Sequence, residues 1–420
     1  MEAARAGTIT ENGVTLIRFD KHSSLAVPSL VDKYPLYRIP TLGTIVYLLQ
    51  SNQQYVMASV LSGLIKEIIW IWPQWDHRNH FEEYSLSVIQ AGLTTPDNRE
   101  EREFCMCVFD SESSENTCFH NSQSERESGV VHISFVECDI KYTVKYVEIR
   151  EDLAAEYLKR KANGINDRSD VILDIDVDFL NFTDASKFLV QANITRYDVE
   201  DLDSNLSRLF CPKNGSGETL IDKRITQFIN NVMIFKNDGH PFSKYNSTKL
   251  YNYGKKYFQT RTMEWLPYTC AVTEIQKNLF LSRFLRSVVT FTVPQLEAIK
   301  KTGFCMNNVQ QNVKKLPIKE FHVCTGENYR FNKQSFHLDP GKLKERIMNF
   351  MDTLTHITKL PVKLVTVCRS VRDGFTTRAT EPHFERLILK GLQRKLAHTK
   401  LFYDQNLLGR YKTSRSVGQN

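Results

Sequence analysis

The chain has 420 residues, of which 41% are hydrophobic and 25% charged, with a formal net charge of +7. That composition belongs to a globular protein able to bury one large core or two ordinary ones. It excludes a helical membrane protein, because no apolar run approaches the eighteen residues a span needs, and the basic surplus is too mild to define a nucleic-acid binder.

Short strand-like runs alternate with helical segments along the chain. The runs are 14–19 (VTLIRF), 67–72 (EIIWIW), 130–136 (VVHISFV), 142–149 (YTVKYVEI), 171–177 (VILDIDV), 320–324 (EFHVC) and 362–368 (VKLVTVC). Several are apolar on both faces, as buried parallel strands are. Helical spacing covers 54–65, 151–162, 220–235, 272–286, 341–357 and 381–398. Strands alternating with helices predict an α/β domain with a mainly parallel sheet. Residues 110–129 (DSESSENTCFHNSQSERESG) are almost wholly polar and predict a flexible surface insert. Residues 184–318 exceed any ordinary crossover and predict a helical insertion in a single domain spanning 1–420, with 405–420 as a flexible tail. The opening MEAARAGTITENG lacks the apolar core of a secretory signal. The expectation is an intracellular protein, cytoplasmic or nuclear, with no membrane partner. Its nine scattered cysteines, with no CxxC, are expected as reduced thiols.

The chemistry concentrates in two places. Within VILDIDVDFL, Asp174, Asp176 and Asp178 recur at every second position, so on a strand all three carboxylates face one way. At a spacing of about 6–7 Å each pair repels by roughly 2–3 kcal/mol at an effective dielectric near 20, which water, protons or a cation must relieve. The other place is RFDKHSS, where Asp20 and His22 are two apart and Lys21 faces away. An acid and an imidazole together suit manganese, zinc or iron better than calcium.

These motifs resemble those of the arginase–deacetylase superfamily, and more closely an uncharacterised family of arginase-related proteins. Members of that family typically carry HFDSHPDL, a Trp-rich strand followed by HPTW, a polar insert, LDIDLDFF and TIARS. This chain has RFDKHSSL, IIWIWPQW, the polar insert, LDIDVDFL and TVCRSVRDGF in the same order. The resemblance implies a three-layer α/β/α arginase-like fold and four metal ligands, Asp20, His22, Asp176 and Asp178. Asp20 and Asp176 would bridge to a second ion in the binuclear pattern. Asp174 matches an acid one step deeper, suited to bonding loops or holding a monovalent cation. Two departures fall on the second metal position. Ser24 stands where a third acid is expected, and none of the thirteen residues before the first strand is a His.

The implied centre therefore holds one divalent transition metal. His337 and Asp373 are candidates to fill the vacant second position, each also readable as a surface or capping residue. Arg369 and Ser370 are candidates to orient a substrate, with a structural ion pair as the other reading of Arg369. The expected reaction is hydrolysis of a guanidino or amide C–N bond in a small-molecule or peptide substrate. The competing expectation is a catalytically inactive pseudoenzyme or truncated isoform that keeps the fold, with one cation for stability or none, and works as an interaction protein.

Overall fold

The computed structural model describes residues 2–11, 13–25, 55–80, 82–95, 102–110, 116–121, 130–164, 169–180, 185–211, 215–237, 246–269, 273–302, 340–370, 376 and 381–396. The chain divides into two compact units. The first comprises Met1–Phe182, Phe336–Ser370 and Glu381–Thr399, and the second comprises Thr183–Ser335, Val371–Thr380 and Lys400–Asn420.

The first unit holds all nine described strands: β1 (Val14–Phe19), β2 (Ile65–Trp72), β3 (Tyr84–Thr94), β4 (Glu103–Asp110), β5 (Asn116–Asn121), β6 (Val130–Ile133), β7 (Asp139–Arg150), β8 (Val171–Asp176) and β9 (Val362–Cys368). They form one mixed sheet in the order β6-β5-β4-β3-β7-β2-β1-β8-β9. Strands β7, β2, β1, β8 and β9 run parallel, and β3 to β6 continue the sheet antiparallel.

The parallel strands form because their residues are apolar on both faces and both faces are covered. Ile17 and Phe19 of β1, with Leu173 and Ile175 of β8, pack against helices Glu151–Asn163, Pro340–Ile357 and Glu381–Lys395. Leu16 of β1 and Ile68 of β2 face the other way, onto helix Tyr55–Leu61. The molecule is thus a mixed α/β protein with helices on both sides of the sheet. Periodicity located the parallel strands but missed β3, β4 and β5. Tyr84–Thr94 mixes Ser and Gln with apolar residues because only part of that strand is buried.

Two features of the antiparallel wing depart from expectation. Within the polar span 110–129, residues 116–121 form β5, paired to β4 on one side and β6 on the other. Cysteines expected as reduced thiols are joined as Cys105–Cys138 and Cys107–Cys118. Cys105 and Cys107 are alternate residues of β4, so both face the same side, and Cys107 lies directly opposite Cys118 across the ladder. A separation of two residues is what a strand needs to present two thiols together.

The described part of the second unit is helical. Helices Arg196–Leu209, Gly215–Lys236, Ser247–Gln259 and Glu274–Thr290 enclose a core of Phe228, Phe258, Phe284 and Leu285. Their starts are written locally. Thr195 with Asp198, and Thr273 with Gln276, form reciprocal capping boxes, and Asn246 accepts from the Lys249 amide.

Candidate metal centre

In the parallel half of the sheet, β2 and β7 lie on one side of β1, and β8 and β9 on the other. The carboxyl ends of β1 and β8 therefore meet where the winding reverses, which is where open α/β sheets bind ligands. Asp20 and His22 follow β1 directly. Asp176 ends β8, and Asp178 sits in the short 3₁₀ turn Val177–Phe179 that follows it. The strand thus stops before its third acid. Asp174 and Asp176 share a face by strand alternation, whereas the turn sets the direction of Asp178.

Asp176 makes that turn. It is the N-cap, and its Oδ1 accepts from the Asp178 amide at 3.0 Å while its Oδ2 accepts from the Ser370 hydroxyl at 2.5 Å. Ser370 adopts a positive φ of 44°, a left-handed conformation that costs on the order of 1 kcal/mol for a residue with a Cβ. Ser24, just beyond His22, is likewise buried at φ 51°. Arg346 holds the far side of the turn. Its guanidinium donates to Leu180 O at 2.6 Å, to Phe179 O, and to Glu151 Oε1 at 2.8 Å.

The residues that converge are Asp20, His22 and Asp178, which offer one ligand atom each, all within 4.8 Å of one another. A single nitrogen, His22 Nδ1, faces both acids: Asp178 Oδ2 at 3.0 Å and Asp20 Oδ1 at 3.4 Å. The loop backbone reinforces this arrangement, with the His22 amide donating to Asp20 Oδ1 at 2.6 Å. Trp70 Nε1, from β2, donates to the Asp20 carbonyl at 2.8 Å. Both acids are buried, and the His22 side chain is 19% exposed, so the histidine is the solvent-facing side of the cluster.

The electrostatics follow from that geometry. Burial alone would pull the His22 pKa down, but the Asp178 and Asp20 carboxylates push it up to about 9. Burial and the neighbouring Asp20 charge raise the Asp178 carboxyl. Burial would also raise Asp20, but the Arg18 guanidinium and His22 hold it below its usual value. One proton therefore sits among three ligand atoms, where a cation can replace it.

Beneath the cluster lies a second buried network that the sequence reading did not single out. Arg18 and Asp174 are cross-strand partners, and the Arg18 guanidinium pairs with Asp20 Oδ2 and donates to the Tyr55 hydroxyl. Asp174 accepts from Tyr55 Oη and from Thr366 Oγ1, each at 2.5 Å, and lies 3.7 Å from Arg18. The charge set against the deeper acid is the Arg18 guanidinium. Alternation alone put Arg18 on the face of Asp20, but nothing local marked it as different from any strand arginine.

Of the remaining candidates, Ser370 bonds Asp176 in the way described. Arg369 pairs with Glu385 at 2.8 Å through both Nε and Nη2. His337 and Asp373 lie outside the described residues. No helix among the described residues is long and apolar enough to cross a membrane.

No protein-family model matches this chain, and no curated protein matches it at a significant level.

Proposed function

We propose that the chain is a metal-dependent hydrolase of C–N bonds, guanidino or amide, using one divalent transition metal held by Asp20, His22 and Asp178. The observation that carries this reading is the convergence of both acids on a single imidazole nitrogen, at 3.0 and 3.4 Å. Two carboxylate oxygens with one imidazole nitrogen suit manganese, zinc or iron. The charges favour the same conclusion. Asp20, Asp174, Asp176 and Asp178 are four buried carboxylates facing Arg18, a protonated His22 and the Lys21 charge that acts on Asp178, so the acids still outnumber these cations.

When bound, such a metal would activate a water and polarise the carbon under attack. The protein's own groups do the positioning. Asp176 and Ser370 orient the turn that carries Asp178, and Trp70 fixes the backbone of Asp20. Asp176 serves the centre through that turn rather than as the convergent ligand the motif alone suggests. The ordered resemblance to arginase-related motifs supports the same class of chemistry.

A second reading is favoured by one observation: Arg18 already occupies one oxygen of Asp20. On that reading the acids, Arg18 and His22 form a closed ion-pair network, and the protein is a catalytically silent member of its family acting through its surfaces. Metal analysis of the purified protein separates the two. The hydrolase reading expects about one manganese, zinc or iron per chain and turnover of simple amides or guanidino compounds that chelator abolishes. Absence of bound metal after incubation with each of the three ions would leave the ion-pair reading standing.

A further inference from the structure

Asp20 faces two cation positions. Its Oδ1 looks toward His22, and its Oδ2 is taken by Arg18. The Arg18 position is built as a cation site in its own right. Asp20 Oδ2, Asp174 Oδ2 and the Tyr55 hydroxyl surround the guanidinium, whose carbon lies 5.1 Å from the centroid of the Tyr55 ring. Arg18 is 4% exposed, and its Nε is buried with no hydrogen-bond partner among the described residues. The guanidinium is therefore held by the charges at its tip rather than by saturated hydrogen bonding, as a point cation would be. Thr366 and Tyr55 orient the Asp174 carboxylate at 2.5 Å each, and the Thr366 bond holds it independently of the arginine.

We infer that the Arg18 guanidinium is a built-in second cation, occupying a position between Asp20 and Asp174 that would otherwise take a divalent metal, and thereby limiting the centre to one ion. This rests on the single-metal reading of the Asp20–His22–Asp178 cluster. Without the guanidinium, two buried carboxylate oxygens and a phenol hydroxyl remain around the vacated space. That oxygen-only set suits a hard ion such as Mn²⁺. Arg18→Lys keeps a positive charge there and should keep the stoichiometry.

The experiment is native mass spectrometry of wild type, Arg18→Lys and Arg18→Ala after loading with Mn²⁺ and desalting. The expected counts are one, one and two ions per chain. One ion in both wild type and a natively folded Arg18→Ala would overturn the inference. No ion in wild type with one in Arg18→Ala would uphold the Arg18 position while removing the metal reading of the His22 cluster. No ion in either would overturn both. Should Arg18→Ala be unfolded as purified, refolding across a Mn²⁺ titration decides. Recovery of the native circular dichroism with two ions supports the assignment, and failure to recover at any Mn²⁺ concentration overturns it.

Discussion

His22 and His80 each lie between two carboxylates in the sheet-bearing unit, yet their wiring is opposite. His22 turns one nitrogen, Nδ1, toward both Asp20 and Asp178. His80 uses both ends of its ring, Nδ1 to Glu148 at 2.5 Å and Nε2 toward Asp76 at 3.6 Å. Its face is stacked on Trp72, with ring centroids 3.8 Å apart. Acids on opposite sides of a ring cannot converge on one ion, so His80 is suited to being a doubly protonated structural bridge. Acids on one nitrogen can share a cation in place of the proton. The presence of His, Asp and Glu together is therefore weak evidence for a metal. What decides is whether the donor atoms point at one place.

The largest expected effect tests that contrast directly. His22→Ala or Asp178→Asn should lower metal affinity by more than about 100-fold, whereas His80→Ala should leave about one ion per chain, as read by plasma mass spectrometry. Loss of metal in His80→Ala alone would reverse the assignment.

Stability should show the complementary pattern. His80→Ala takes away the imidazole that buried Asp76 and half-buried Glu148 share and removes the stack on Trp72. It should cost about 3 kcal/mol in urea unfolding of the metal-free protein. Zn²⁺ or Mn²⁺ at about 100 times its wild-type dissociation constant should stabilise wild type and His80→Ala by about 2.7 kcal/mol and His22→Ala by less than about 0.4 kcal/mol. Equal stabilisation of His22→Ala would place the ion elsewhere.

The pH dependence sharpens the same comparison. The folded pKa of His22 is raised to about 9 from the ordinary histidine value of 6.5, so its contribution to the metal-free protein is fully present below about pH 6.5 and fades as pH rises through about 9. His80 is also raised, despite burial, by its bonds to Asp76 and Glu148, so its contribution has the same sign and the same lower limit. In urea titrations, saturating metal should remove the His22 part of this decline and leave the His80 part, because bound metal has already displaced the His22 proton. A decline unchanged by metal would argue against a shared position. The smallest effect is expected from Ser370→Ala, which removes the hydroxyl bond to Asp176 Oδ2 and loosens the Asp178 turn. Metal affinity should fall about 10-fold, measured by competition with a chromophoric chelator, with the fold intact.

Much of the site was legible locally. The apolar run VILDID identified a buried strand ending in acids, and alternation along it puts Asp174 and Asp176 on one face with no tertiary information needed. The spacing of two in DKH brings Asp20 and His22 together, but both lie past the end of β1, where the Trp70 and Asp178 contacts hold the loop. The same rule failed at Asp178, because the strand ends at Asp176 and a 3₁₀ turn takes over. Asp176, read as a ligand, spends its oxygens on the Asp178 amide and Ser370, and Ser370 lies 194 residues away.

The sequence by itself determined the strand and helix character of the parallel half, the capped helix starts of the second unit, and the edge on which the acids and His22 lie. These follow from spacing and from contacts a few residues apart. Only the tertiary structure decided that β3 to β6 extend the sheet, that cysteines 33 and 11 residues apart meet, and that Arg18 lies against Asp174. It also decided which histidine offers a shared nitrogen. Each of these depends on which strands become neighbours. That choice is made by burying whole faces of the sheet, and no short stretch of chain carries it.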